Sequence, residues 1–245
     1  MQNQKLIPDC KIDIKDFWVT VTENSKKNNI DPTLSYMHLL EEKMYQAKVE
    51  ISKKKFNQYG KELVLFPGVK NWFERIKEFG KKNNVEVEHY IISSGLTDMI
   101  EGCDFSNELN KIYACEYIYK NGRGIWPKLS VNYSNKVQYL YRIHKGAFDV
   151  SDQEGVNEKK YYGDHIHVPF ENMIFFGDGE TDVPTFNVLN KNNGKSICIY
   201  EEENEKSMSI AKKLFSDGRV HHVVKNDYRD KSKIDRLIKN IIKSK

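Results

Sequence analysis

Over the opening part of the chain, apolar side chains recur at three- and four-residue spacing: Phe17 and Val21, then Leu34, Met37, Leu40, Met44 and Ala47. That period gathers one apolar stripe on a helix. Helices are therefore expected from Asp16 and from Asp31-Pro32, where proline suits the first helical position, with a third over 52–59 ending at Gly60. Residues 10–64 read as a small helical subdomain, and the Met and aromatic stripe is most simply its core. Further on the pattern changes. A turn at 65–69 leads into a helix over 70–81 and a strand over 85–92, alternating at first and then wholly apolar, as a strand entering a buried parallel sheet does. Asn121-Gly122 signals a hairpin between strands over 112–119 and 125–131. A helix over 136–144 follows, with Val137, Leu140 and Tyr141 facing inward, then a polar stretch over 146–169 read as an irregular loop. The apolar run 173–176 starts a last series: helix 183–189, strand 196–200, helix 206–215, strand 221–224 and helix 234–242. Such alternation predicts an α/β fold, a parallel sheet with helices on both faces, whose ligands bind beyond the carboxyl ends of the strands. The chain divides into a helical region over 1–64 and an α/β core over 65–245.

Composition narrows the classes. In 245 residues, 39 basic and 35 acidic side chains leave a formal net charge of +4, and they are interspersed, so no nucleic-acid partner is indicated. Cys10, Cys103, Cys115 and Cys198 lie far apart and form no Cys-x-x-Cys pair, which predicts neither a zinc site nor a disulfide framework and suits a cytoplasmic setting. No apolar run approaches the roughly 20 residues that span a bilayer, so no membrane association is expected.

Candidate chemistry sits where strands end. Gly177-Asp178-Gly179 follows the apolar run directly, and Asp182 stands four residues after Asp178. Two carboxylates on one short loop suit Mg²⁺, which takes one or two of them and completes its shell with water and substrate phosphate; a tight turn with Asp182 as helix cap is the plainer reading. Ser93, Ser94 and Gly95 lie between an apolar strand and a helix start, a pattern that makes an anion site or simply a capped helix. Lys136 stands in the first turn of its helix, where a cation opposes the helix dipole, so either an anion or carboxylate accompanies it or it is a solvated lysine. His165 with His167 reads as structural or solvent-facing, and His221 with His222 as ordinary strand residues. Tyr36, Met37, His38 and Tyr45 either face a site or fill the helical subdomain.

Taken together these segments resemble the haloacid dehalogenase superfamily, in its phosphoserine-phosphatase-like branch with a small helical cap. Ile91-Ile92-Ser93-Ser94-Gly95 resembles the second motif, and the resemblance gives Ser93, with Ser94 and Gly95, contact with the phosphoryl group. Lys136 is similar to the third motif's lysine, which neutralises phosphate charge. The stretch 177–182 is similar to the fourth, in which Asp178 holds Mg²⁺ and Asp182 assists or orients it. The resemblance covers 66–224 and sets the helical region in the cap's place. It implies a Rossmann-like core and a Mg²⁺-dependent phosphomonoesterase that works on a small phosphorylated metabolite through an aspartyl-phosphate. It also exposes a departure. The family opens with a strand ending in Asp-x-Asp-x-Thr, the source of nucleophile and general acid, and Asp9, Asp13 and Asp16 have neither that spacing nor a preceding apolar strand. Two expectations follow: a native start about 15 to 25 residues upstream, enough for one strand and its loop, or a non-catalytic relative that binds a phosphorylated ligand or partner. Substrate identity and oligomeric state are not encoded in any pattern found.

Overall fold

A computed structural model describes residues 1–157 and 166–245. The chain forms two compact units, Met1–Leu65 with Val87–Asn132 and Phe66–Glu86 with Tyr133–Lys245. Residues 87–132 thus cluster with the helical region.

In the first unit a short helix α1 (Leu6–Asp9) precedes α2 (Ile14–Asn28), α3 (Pro32–Gln46) and α4 (Lys53–Lys61). The period of the sequence dictates all three long helices, and polar caps set their starts. Asp13 accepts from the amides of Lys15 and Asp16, Asp31 from those of Thr33 and Leu34, and Ser52 from that of Lys55. Phe17, Val21, Met37, Leu40, Met44 and Phe56 form the core. Gly60 does not end α4. A Cβ there would lie 2.0 Å from the Met99 carbonyl oxygen, so glycine lets α4 cross the following short helix backbone to backbone.

That short helix is α6 (Thr97–Glu101), which follows strand β1 (Tyr90–Leu96). Strand structure begins at Tyr90, later than the expected 85, because the ladder to β2 (Lys111–Lys120) begins at the Tyr90–Lys111 pair. Just before it, the Asn110 side chain accepts from the His89 amide. The strand also runs through Ser93–Gly95 instead of stopping before them, with an irregularity between Ile92 and Leu96. β2 turns back through Asn121 and Gly122, at φ 52° and 78°, into β3 (Arg123–Leu129). Both values are positive, as a two-residue hairpin turn requires. The sheet order is β1-β2-β3, the first pair parallel and the second antiparallel.

The second unit contains α5 (Trp72–Lys82), α7 (Lys136–Lys145) and α8 (Gln153–Asn157), the last within the stretch expected to be irregular. His165 lies outside the described residues. β4 (Ile174–Gly177), β5 (Lys195–Tyr200) and β6 (His222–Lys225) form a parallel sheet in that order, connected through α9 (Val183–Lys191) and α10 (Glu205–Ser216), and α11 (Lys233–Lys243) follows β6. Phe186, Ala211 and Leu214 of the two connecting helices pack on Cys198, Phe175 and Val223. Alternation along the strands sends Ile197, Ile199 and Val224 to the opposite face, and α11 packs on β6 and α5. In α7 the buried positions are Lys136, Tyr139, Leu140, Arg142, Ile143 and Lys145, whereas Tyr141, expected inside, is 40% exposed. This is the mixed α/β architecture the pattern predicts, with its strands in two three-stranded ladders. Among the described residues no helix is long and apolar enough to cross a membrane.

Candidate active site

β4 delivers its chemistry through a close approach of backbone to side chain. A Cβ on Gly177 would lie 2.6 Å from both Asp182 Oδ2 and the Phe186 ring, so glycine alone lets the strand end against these groups. The chain then passes Asp178 and makes a turn over Glu180–Asp182 into α9, with Pro184 in the first turn of the helix. Asp182 occupies the N-cap position but makes no capping bond to α9. Its carboxylate points back instead: Oδ2 accepts from the Asp178 amide at 3.0 Å, and Oδ1 accepts from Lys136 Nζ at 2.7 Å. The lysine and aspartate side chains are only 10% and 3% exposed. The cation at the start of α7 therefore has the carboxylate companion that its position against the dipole calls for.

Asp178 is placed differently. The residue as a whole is exposed, and it is its backbone amide that Asp182 fixes. Protein packed around the carboxyl, and after that the negative Asp182, push its pKa above the ordinary carboxylate value against the opposing pull of Lys136. The carboxylate lies on the wall of a cleft of about 280 Å³. Tyr228 is held above the usual phenol value, first by burial and then by the charge of Asp178.

This donor set suits a hard cation that needs few protein ligands. Among the described residues no three His, Cys, Asp or Glu side chains are grouped to hold a metal. Mg²⁺ accepts one or two carboxylates beside open solvent, and Asp178, with Asp182 fixed behind it, offers that arrangement.

The other predicted residues belong to the first unit. Ser93 Oγ accepts from the Gly95 amide at 3.0 Å, which closes the irregularity within β1 and leaves the hydroxyl proton free to donate. The Ser94 carbonyl accepts from the buried Tyr36 hydroxyl at 2.7 Å and from Cys115 Sγ at 3.5 Å. Tyr36 and Cys115 thus anchor the loop, and sequence reasoning did not single out that role: one lies 58 and the other 21 residues away. Met37 is core, whereas His38 and Tyr45 are exposed. Lys136, Asp178 and Asp182 come together in one unit, and Ser93, Ser94 and Gly95 in the other.

No family model matches this sequence. An uncharacterized protein of Borreliella burgdorferi is 29% identical over 196 residues, covering 71% of this chain and 65% of that protein. The crystal structure of a HAD family hydrolase from Salmonella enterica serovar Typhi aligns with a TM-score of 0.56 at 16% identity, over 91% of this chain and 60% of that one. The chain has a HAD-like α/β fold. It spans less than two thirds of the length of either relative.

Proposed function

We propose that this chain carries the Mg²⁺- and phosphate-binding apparatus of a HAD-like phosphomonoesterase acting on a small phosphorylated metabolite. The observation that carries this reading is the buried Lys136–Asp182 pair, whose carboxylate also fixes the backbone of Asp178. Asp178 would hold the cation with Asp182 orienting it, and Mg²⁺ when bound supplies Lewis-acid neutralisation of phosphoryl oxygens. Lys136 has three donor hydrogens and gives one to Asp182. The remaining two can meet substrate oxygens in a setting that is already ordered before charge develops.

The sequence contains no Asp-x-Asp behind an apolar strand. In a second reading the same groups bind a phosphorylated ligand without turnover. The two separate in one experiment: phosphate release from a panel of phosphomonoesters with and without Mg²⁺, beside calorimetric binding of inorganic phosphate, for the wild type and Asp178→Asn. Mg²⁺-dependent release that the substitution abolishes supports the esterase. Saturable, Mg²⁺-dependent binding without release supports the binding protein, and failure of both overturns the site.

A further inference from the structure

The cleft beside Asp178 has a lining of its own. Phe66, Ile199 and Ile210 make part of it apolar, and Asn204 and Asn226 bring amides to it. The loop at its edge is braced: Ser207 Oγ accepts from the Glu201 amide, and Asn204 Oδ1 accepts from the Ser207 amide, each at 3.1 Å. After this bracing the Asn204 NH₂ group and the whole Asn226 side-chain amide have no hydrogen-bond partner among the described residues. They are donors and acceptors held ready beside an apolar surface, the composition of a small-molecule site.

The chemistry restricts what fits. Asp178 and Glu201 outweigh Lys206 among the lining residues, so a second anionic group is disfavoured. A polyol would set hydroxyls against Phe66, Ile199 and Ile210 without partners, which costs free energy. A flat, uncharged ring with nitrogen and oxygen atoms on its edge satisfies both halves: its face covers the apolar lining, and its edge pairs with amides, as asparagine does with base edges.

We propose that this cleft binds the planar nitrogen heterocycle of the ligand, a nucleobase or a ring of that chemistry, with the ligand's phosphate directed toward Asp178. The proposal rests on the phosphate reading for the other end of the ligand, and the test keeps the two apart. The full-length protein, labelled with ¹⁵N, is titrated with uridine, cytidine, adenosine and guanosine, with ribose as control, while the side-chain amide resonances of Asn204 and Asn226 are followed. At least one nucleoside is expected to shift both and ribose neither, and Asn226→Ala and Asn204→Ala are each expected to weaken that binding about tenfold, one hydrogen-bonded contact's worth. Silence of all four nucleosides at millimolar concentration, or an equal response to ribose, overturns the proposal. Inorganic phosphate with Mg²⁺ is titrated into the same samples: phosphate binding with silent nucleosides removes only the heterocycle site, and nucleoside binding without phosphate binding removes only the phosphate reading.

Discussion

Lys136 illustrates how a residue in an unfavourable place is held by one partner. Its ammonium opposes the dipole of α7, and the buried Asp182 carboxylate answers it at 2.7 Å. Removing one charge strands the other. Lys136→Met is therefore expected to destabilise the fold by about 3 to 5 kcal/mol, and Lys136→Met with Asp182→Asn to recover most of that, as measured by the urea midpoint of each variant. Gly177→Ala forces a methyl group into the same contacts and should cost about 1 to 3 kcal/mol by the same measurement. This chemistry was legible because the glycines and both aspartates fall within a few residues of one strand end. The lysine's misfit with its helix was a second local signal. Tyr36 stood out only as a residue facing a site or filling the helical subdomain; the support its hydroxyl gives Ser94 lies across a sequence separation that periodicity cannot bridge.

At the scale of elements, helices were read more faithfully than strands. A helix satisfies its own backbone, so its stripe and caps are local. The start of β1 depends on β2, and the alternating pattern over 85–89 cannot show that the ladder begins only at the Tyr90–Lys111 pair. Gly60 misled for a similar reason, since its purpose is the crossing with α6 and not the end of α4. The α5–α11 contact carries a sharper expectation. Asp235, 1% exposed, accepts from Arg75 Nε at 3.2 Å, from Lys239 Nζ at 2.8 Å and from the Lys231 amide at 2.9 Å. Asp235→Ala removes the buried acceptor these donors share, leaving Lys239 paired with Asp230 and Arg75 with the Asn71 and Tyr228 carbonyls, and should cost about 1 to 3 kcal/mol, read as a lowered thermal midpoint, whereas breaking the solvent-screened Arg229–Asp227 pair should leave the midpoint almost unchanged.

For the whole molecule, pH acts through groups in both units, with opposite signs. In the second unit His221 Nδ1 accepts from the Ser196 amide, and burial, with Lys195 beside it, lowers its pKa from 6.5. The neutral ring is the folded form, so its contribution is whole above 6.5 and is lost as pH falls through the depressed value. In the first unit burial raises Asp98 from 3.8, against the hydrogen bond from Tyr119. Its contribution is whole below 3.8 and is lost as pH rises through the raised value. Asp98→Asn should accordingly flatten the fall in thermal midpoint on the alkaline side of 3.8, and His221→Asn the fall on the acid side of 6.5, in scans across that interval.

The course of the chain between the two units bears on how the protein is made. Residues 66–86 belong with 133–245, and Arg75 waits for Asp235 across 160 positions. During synthesis α5 therefore emerges from the ribosome with the apolar side of Trp72 and Ile76 uncovered, and α11 reaches it only after Lys233–Lys243 has been translated. A nascent chain halted anywhere in between presents that sticky helix to chaperones, and α11 is the helix that hides it.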